Sequence, residues 1–426
     1  MADEVRLGMS AQSRLTERPI AGWAETTPET TAEATGNLDA AARDAAPARI
    51  PTVWVLKCHR GGDHAQSLAL ANELGWPYTV KDVEFRWYEL FFALANRVTL
   101  AGFNQAKSDP LTPPWPDLVI MAGRRNETPA RWIRQQSGGR TKVVVIGRYW
   151  TPPELLDLVV TTPQFRLPTH HSNVLLNDFP LHLATKQRLS EAAEAWRPRI
   201  AGLKGPYVTL LVGGATGPYV FSRRTAQRLG REASAFARAM GASLLVTTSA
   251  RTGHGGMKAL REAIDVPCHF YQWRPRDPEN PYFGFLGLAD AVIATADSMS
   301  MIAEACMTER PVYLFEFGNG PAAMHGPRSR DPQIRQWWRP SQLRDQGVLG
   351  LPYAWWIGRP ARRLNRSRDI RLVIDRYVTS GRARWLSQEL LANPGRLREE
   401  VASWQAKPLE DDKLAATAVR RMMGID

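Results

Sequence analysis

Hydrophobic positions along this chain fall into short, nearly unbroken runs separated by stretches of helical spacing. VWVL at 53–56, DLVIM at 117–121, KVVVI at 142–146 and LDLVVT at 156–161 are four such runs. Runs this short and rich in β-branched residues predict strands covered on both faces, the pattern of a parallel sheet. The segment 65–74 and the stretch holding Arg131, Trp132 and Arg134 have helical spacing. A strand over 78–85 and an amphipathic or buried helix over 87–98 complete the first unit. A polar helix over 182–199 leads out of it, and Pro198 with GLKGP at 202–206 marks a linker.

The alternation then restarts. Strands are predicted at 208–212, 243–247 and 268–273, with a GGATGP loop at 213–218. One helix runs from a Ser222 cap to Met240 with Gly241 closing it, and another covers 257–264. The densest stretch is 280–317. Asn280 caps a helix over 282–288 with Pro281 at its first position, and 291–296 is a buried strand. Asp297 and Ser298 break that strand, 299–307 is helical, and 311–317 is a second buried strand. Beyond Gly318, residues 321–385 are dense in Arg, Trp and Pro, and helix returns near 369–378, 386–391 and 414–423. The pattern predicts an α/β protein of two units with a ligand cleft between them. The divisions are 1–49, an Ala/Thr/Glu-rich tail expected to be disordered; 50–202 and 203–385, the two α/β domains; and 386–426, a helical segment that can cross back to the first domain.

At 426 residues the chain is too long for one ordinary core, which agrees with two domains. Its 44% hydrophobic and 23% charged composition is that of a water-soluble fold, and its formal charge of +13 favours anionic partners. No recognisable nucleic-acid module accompanies that charge, so nucleic acid is not expected as a partner. The Arg/Trp-rich stretch suits either peripheral contact with an anionic membrane or packing of the second domain. No apolar run is long enough to span a bilayer, and the N-terminus, acidic at Asp3 and Glu4, lacks the order of a secretory signal. A cytoplasmic protein is expected. Cys58, Cys268 and Cys306 have no metal-ligand spacing and read as core thiols; no metal and no cofactor are expected.

Candidate chemistry lies where strands run into helices, because ligands of open parallel sheets sit at the carboxyl ends of strands and anions sit on helix N-termini. Ser298, Ser300 and Met301 begin the helix after 291–296 and can offer amides to a diphosphate. Glu304, on the same helical face as Ser300, can hold both hydroxyls of a ribose or be an ordinary helix carboxylate. Asp297 would repel a phosphate if aimed at that helix start, so it must point elsewhere or cap backbone. Gly213, Gly214 and Thr216 can approach a distal phosphate or a sugar. Ser249 and Arg251 end a parallel strand, where a guanidinium can stabilise a leaving diphosphate. Trp273 either stacks on a base or packs in the core. In the first domain the Gly62–Asp63–His64 loop and Gly123–Arg124–Arg125 occupy equivalent turns.

RGGDHAQSLALANELG, MAGRRNETPARWIR, VTLLVGGATGPYVFS, TTSARTG and ENPYFGFLGLADAVIATADSMSMIAEA together resemble the elongated-mitochondria (ELM) fission-factor family, over residues 53 to 317. The resemblance implies a GT-B-like layout: two Rossmann-like domains facing a central cleft, with nucleotide sugar on the C-terminal one and acceptor on the N-terminal one. It implies a metal-independent glycosyltransferase using a nucleotide-sugar donor and a glycan or glycolipid acceptor, with a link to lipopolysaccharide or lipooligosaccharide core at the cytoplasmic membrane face. Asp63 is then the base or positioner for the acceptor hydroxyl, with His64 second, and Gly62, Gln66, Arg124 and Arg125 line the acceptor side. Two rivals stand beside this reading: a nucleotide-sugar epimerase on the same scaffold, and a non-enzymatic membrane-associated interaction factor.

Overall fold

The structure is a computed structural model that describes residues 49–58, 61–88, 98–149, 151–216, 219–317, 324–325 and 368–425. Its N-terminal sheet contains β1 (Val53–Leu56), β2 (Tyr78–Lys81), β3 (Leu118–Ala122), β4 (Lys142–Ile146), β5 (Leu158–Thr161) and β6 (Val174–Leu176), in the order β2-β1-β3-β4-β5-β6. All five pairings are parallel. β1 and β3–β5 are the runs legible in the sequence. They are almost wholly buried because helices and loops cover both faces. α1 (Gly61–Leu74) follows β1 and α2 (Glu127–Gln136) follows β3.

α3 (Lys186–Trp196) leads into a second sheet. Its strands are β7 (Tyr207–Leu211), β8 (Ser243–Thr247), β9 (Cys268–Tyr271), β10 (Ala291–Thr295), β11 (Val312–Phe315) and β12 (Arg384–Trp385), in the order β12-β11-β10-β7-β8-β9, again all parallel. α4 (Arg223–Met240), α5 (His254–Ala263), α6 (Tyr282–Leu288) and α7 (Met299–Cys306) connect them. α8 (Arg371–Thr379), α9 (Gln388–Leu391), α10 (Pro394–Ala402) and α11 (Asp411–Met423) close the chain. The protein is therefore α/β with two Rossmann-like domains. Residues from Ile50 onward form one unit.

Two crossovers join the halves. α3 packs on the second domain, its Leu189 in that core and its backbone so close to α6 that a Cβ on Gly287 would stand 2.1 Å from the Leu189 carbonyl oxygen. α11 returns to the first domain, where Ala415, Ala416 and Val419 join the core formed by α1, β1, β3 and β4. The crossovers are laced together. Asp411 accepts from the Phe179 amide at 3.0 Å, the Asn177 amide nitrogen donates to the Asp411 carbonyl at 3.0 Å, and His182 Nε2 lies 3.2 Å from Asp412.

Several expected boundaries move. The 57–64 loop is shorter than predicted: Gly61 to His64 are already the first turn of α1, with Asp63 placed favourably at its positive end. The 78–85 strand stops at Lys81, because residues 82–84 bond the 108–109 turn instead of β1, with the Asp82 amide on Asp109 at 2.6 Å and the Glu84 amide on Ser108 at 2.8 Å. The 182–199 helix starts only at Lys186, where Thr185 caps it by accepting from the Arg188 amide at 3.1 Å. α10 and the short edge strands β6 and β12 have no counterpart in the expectations. All but the last residue of the 1–49 tail, most of the 87–98 helix and most of 321–385 lie outside the described residues, as do Gly217 and Pro218.

Candidate functional site

In the second sheet β7 is central. β8 and β9 build outward on one side and β10, β11 and β12 on the other, so strand order reverses between β7 and β10. That reversal leaves a crevice at the carboxyl edge, the usual ligand position in open parallel sheets. Asp297, directly after β10, ties its walls together. Its carboxylate, 1% exposed, accepts from the Gly214 amide at 3.0 Å and the Thr295 hydroxyl at 2.7 Å, and pairs with Arg251 at 2.8 Å. Burial raises its pKa, with Arg251 opposing. The Gly213 amide donates to Thr295 Oγ1 at 2.8 Å, and the Ser249 and Thr252 hydroxyls both donate to the Gly213 carbonyl, at 2.8 and 2.6 Å.

This lacing explains the two glycines. A Cβ on Gly213 would fall 2.3 Å from an Asp297 oxygen, and one on Gly214 2.0 Å from the Arg251 carbonyl oxygen. The Asp297 carboxylate at Gly213 and the backbone of the β8 loop at Gly214 leave no room for a side chain. The Asp297 carboxylate thus points away from α7 and onto the glycine loop. Arg251 stays at the rim, its side chain 40% exposed. Thr216 is held by a two-way backbone bridge to Tyr219. Trp273 is 37% exposed, at the rim and outside the core, its amide fixed by Thr248 Oγ1 at 2.9 Å.

α7 starts beside this loop. Ser298 occupies the cap position without a side-chain cap bond, and Ser300 and Met301 follow, half-buried, in the first turn. The first amides of a helix need acceptors from outside it. Glu304 lies deeper, only 7% exposed. Its Oε2 accepts the Tyr282 phenol at 2.5 Å, and burial raises its pKa to about 7 against the pull of Tyr282 and Arg188. Its carboxylate is thus turned toward α6 and the 182–184 crossover.

The N-terminal sheet has a matching reversal between β1 and β3. Asn126, buried after β3, donates its amide to the carbonyls of Leu56, Lys57 and Ala122, each at 3.2 Å, and so pins the β1 and β3 turns together. Arg124 and Arg125 form the half-buried turn between Gly123 and Asn126. Asp63 and His64 sit in the first turn of α1. His64 faces Lys57 and Asp82; burial and then Lys57 lower its pKa, so it is neutral at neutral pH. Its Nδ1 has no hydrogen-bond partner among the described residues. Gln66 reaches back to the Gly62 carbonyl at 3.5 Å.

The two edges meet. An ideal Cβ on Gly62 would stand 3.5 Å from Ser300 Oγ, so the α1 and α7 N-termini face each other across the cleft. Gly62 and Ser300 are brought together there, with Asp63 next in α1 and Ser298 and Met301 in the first turn of α7. Gly213, Gly214, Ser249 and Arg251 form one bonded group beside them through Asp297. Glu304, a turn further along α7, stands apart, its carboxylate bonded to Tyr282 of α6. Asp297 takes a backbone amide, as expected of it; Thr295, Thr252, Asn126 and Tyr282 are the residues that sequence reasoning did not assign.

The family described as Mitochondrial fission ELM1 matches residues 61–326. Mitochondrial fission protein ELM1 of Arabidopsis thaliana is 28% identical over 239 residues, covering 51% of this chain and 54% of that protein. The chain thus spans only 54% of the length of that curated relative. Uncharacterized protein RP120 of Rickettsia prowazekii (strain Madrid E) is 22% identical over 300 residues, covering 62% of this chain and 82% of that protein. Among solved structures, UDP-GlcNAc 2-epimerase from Neisseria meningitidis bound to UDP-GlcNAc matches with a TM-score of 0.42 at 10% identity, over 87% of this chain and all of that one. MurG of Acinetobacter baumannii matches at 0.32 and 12% identity, over 83% of this chain and 99% of that one.

Proposed function

The chain belongs to the mitochondrial fission ELM1 family, and we propose that it is a glycosyltransferase moving a sugar from a nucleotide-diphosphate sugar to a lipid-linked or oligosaccharide acceptor. The acceptor class that fits this reading is a lipopolysaccharide or lipooligosaccharide core, met at the cytoplasmic face of a membrane by a peripherally bound enzyme. No helix among the described residues is long and apolar enough to cross a membrane. The observation that carries the reading is the meeting of two strand-order reversals: the α1 turn with Gly62 faces the α7 turn with Ser300. Such a cleft suits a reaction that brings a phosphorylated donor and a hydroxyl acceptor from opposite sides.

In the proposed mechanism the α7 amides at Ser298, Ser300 and Met301, helped by Arg251, hold the diphosphate. The Gly213–Gly214 backbone and Thr216 border the transferred sugar, with Ser249 fixing that loop. Trp273 stacks on the base, and Glu304 holds the ribose once its carboxylate turns from Tyr282. The acceptor oxygen bonds to the anomeric carbon, the bond from that carbon to the phosphate oxygen breaks, and the nucleoside diphosphate leaves with the bonding pair. Asp63, or His64 in its neutral form, takes the acceptor proton. Gly62, Gln66, Arg124 and Arg125 position the acceptor. Helix dipole and guanidinium stabilise the departing diphosphate in this reading.

A thermal-shift panel of nucleoside diphosphates and nucleotide sugars tests it. A donor at a hundredfold excess over its Kd stabilises the folded chain by about 2.7 kcal/mol. If no nucleotide moves the midpoint, the transferase is ruled out together with any epimerase on this site. If one does, incubating that donor alone separates the two, since sugar inversion without acceptor would mark an epimerase.

A further inference from the structure

Asp297 poses a charge problem that the fold solves only in part. Its carboxylate turns onto the glycine loop, yet it belongs to the residue just before the Ser298 cap of α7, where the proposed diphosphate arrives. It has nowhere to retreat. The side chain is fully enclosed, and even a Cβ on Gly213 would lie 2.3 Å from it. The β7 loop brings it the Gly214 amide at 3.0 Å, the end of β10 the Thr295 hydroxyl at 2.7 Å, and the β8 loop the Arg251 guanidinium at 2.8 Å. Arg251 is the only charged side chain facing it among the described residues. Arg251 has the opposite character. Its main chain is fixed, the amide donating to Ser249 Oγ at 3.2 Å, but its side chain is 40% exposed. Asp297 is the guanidinium's only protein partner among the described residues, which leaves most of its N–H donors for a ligand.

With Asp297 ionised, the pair offers a diphosphate no net charge, and the ligand's negative charges come to rest near a buried carboxylate. Like charges at short range in a water-poor site favour neutralising one of them. The phosphates keep theirs, being in contact with the α7 amides and with water. The carboxylate is the group that gives way. Burial works against its ionisation, and Arg251 is the largest of the influences that sustain it, ahead of the Thr295 hydroxyl and the Gly214 amide. Guanidinium forks match phosphate oxygens in pairs, so a ligand at α7 competes directly for Arg251. An arginine that holds carboxylate and phosphate at once is the rival arrangement, and it takes up no proton.

We propose that a diphosphate reaching the α7 N-terminus draws Arg251 away from Asp297, and that Asp297 takes a proton from solvent as the pair parts. The proton occupies Oδ2, which the guanidinium leaves; no other bond changes, and the proton returns to solvent when the ligand departs. With the diphosphate placed as in the transferase reading, on which this rests, binding at α7 consumes protons. Inorganic pyrophosphate, which needs neither a base nor a sugar pocket, is titrated calorimetrically into the full chain at one pH in buffers of low and high ionisation heat. Wild type takes up more protons than Asp297→Asn, by up to about one per pyrophosphate, because Asn keeps an acceptor for the Gly214 amide but cannot ionise. The ligand's own proton exchange is common to both. Wild-type affinity relative to the variant's rises by up to about tenfold per pH unit as the pH falls, since the complex holds more protons than the free chain. Should the buried replacement unfold, Arg251→Gln at the rim gives the same loss of uptake, because Asp297 then holds its proton before the ligand comes. Equal uptake in wild type and in every folded variant overturns the proposal in favour of the doubly engaged arginine. Pyrophosphate that fails to bind a chain stabilised by a nucleotide overturns it too, because the phosphates then lie away from Arg251. A chain that binds neither pyrophosphate nor any nucleotide loses the transferase reading along with it.

Discussion

Glu304 is the residue whose two roles, ribose ligand and buried structural acid, make opposite demands, and replacing it by Gln separates them. Burial pushes its carboxyl from 4.5 in water to about 7, against a hydrogen bond from the Tyr282 phenol. A raised folded pKa means that the folded state holds the proton longer than the unfolded one. Its contribution to stability is fully present below pH 4.5 and is lost as pH rises through about 7. Across that window the loss is about 1.4 kcal/mol per pH unit, roughly 3 kcal/mol in all. Gln cannot ionise, keeps an oxygen for the phenol, and removes this slope. Urea unfolding of both proteins from about pH 5.5 to about pH 8 is the assay, and the stability difference between them should shift by about 2 kcal/mol in favour of Glu304→Gln at the upper end. Neighbouring acids and His182 titrate in both proteins; Asp412, whose raised pKa owes a part to Glu304, shifts with the substitution and belongs to the same difference. Parallel profiles would sink the assignment of a buried, proton-retaining carboxyl. Tyr282→Phe then decides on the ribose: freeing the carboxylate should leave nucleotide affinity intact or improve it, whereas Glu304→Ala should weaken it about tenfold.

Asp297→Ala leaves the Gly214 amide and the Thr295 hydroxyl buried without their acceptor, while Arg251 at the rim can turn to water. At about 1–3 kcal/mol per unsatisfied buried group, unfolding free energy should drop by about 2–6 kcal/mol and nucleotide affinity should fall with it. A loss below about 1 kcal/mol with unchanged nucleotide affinity would refute the lacing role. Gly287→Ala forces a Cβ against the Leu189 carbonyl oxygen and should cost about 1–3 kcal/mol by prising α3 from α6. Gly202→Ala, which meets nothing within 4 Å, is its near-neutral control in the same denaturation series.

The sequence announced the strands that are covered on both faces and the four-residue edge strands β2 and β9, and missed the shortest edges. KVVVI and AVIAT are apolar except for Lys142 and Thr295 at their ends because helices and loops lie above and below them. β6 and β12, three and two residues long at sheet edges, have too little two-sided burial to leave a pattern. Glycine marks turns, so GGDH predicts a loop, yet a helix start tolerates glycine where the first amides need no partner within the helix. The same limit governs the site. Ser298, Ser300, Gly213 and Arg251 were recognisable because each lies directly after a predicted strand, a local property. Asp297 looked like an obstacle to phosphate, because its partners come from β7 and β8 loops far away in the chain. Only the placement of β7 next to β10 turns that acid onto the glycine backbone. Glu304 shows the converse. Its helical phase agreed with Ser300, but α6 and the 182–184 crossover close over it, so spacing along a helix named the face without naming what covers it. Local pattern therefore gives the strand ends at which chemistry can occur, and strand order decides which of the residues there meet each other and which meet a ligand.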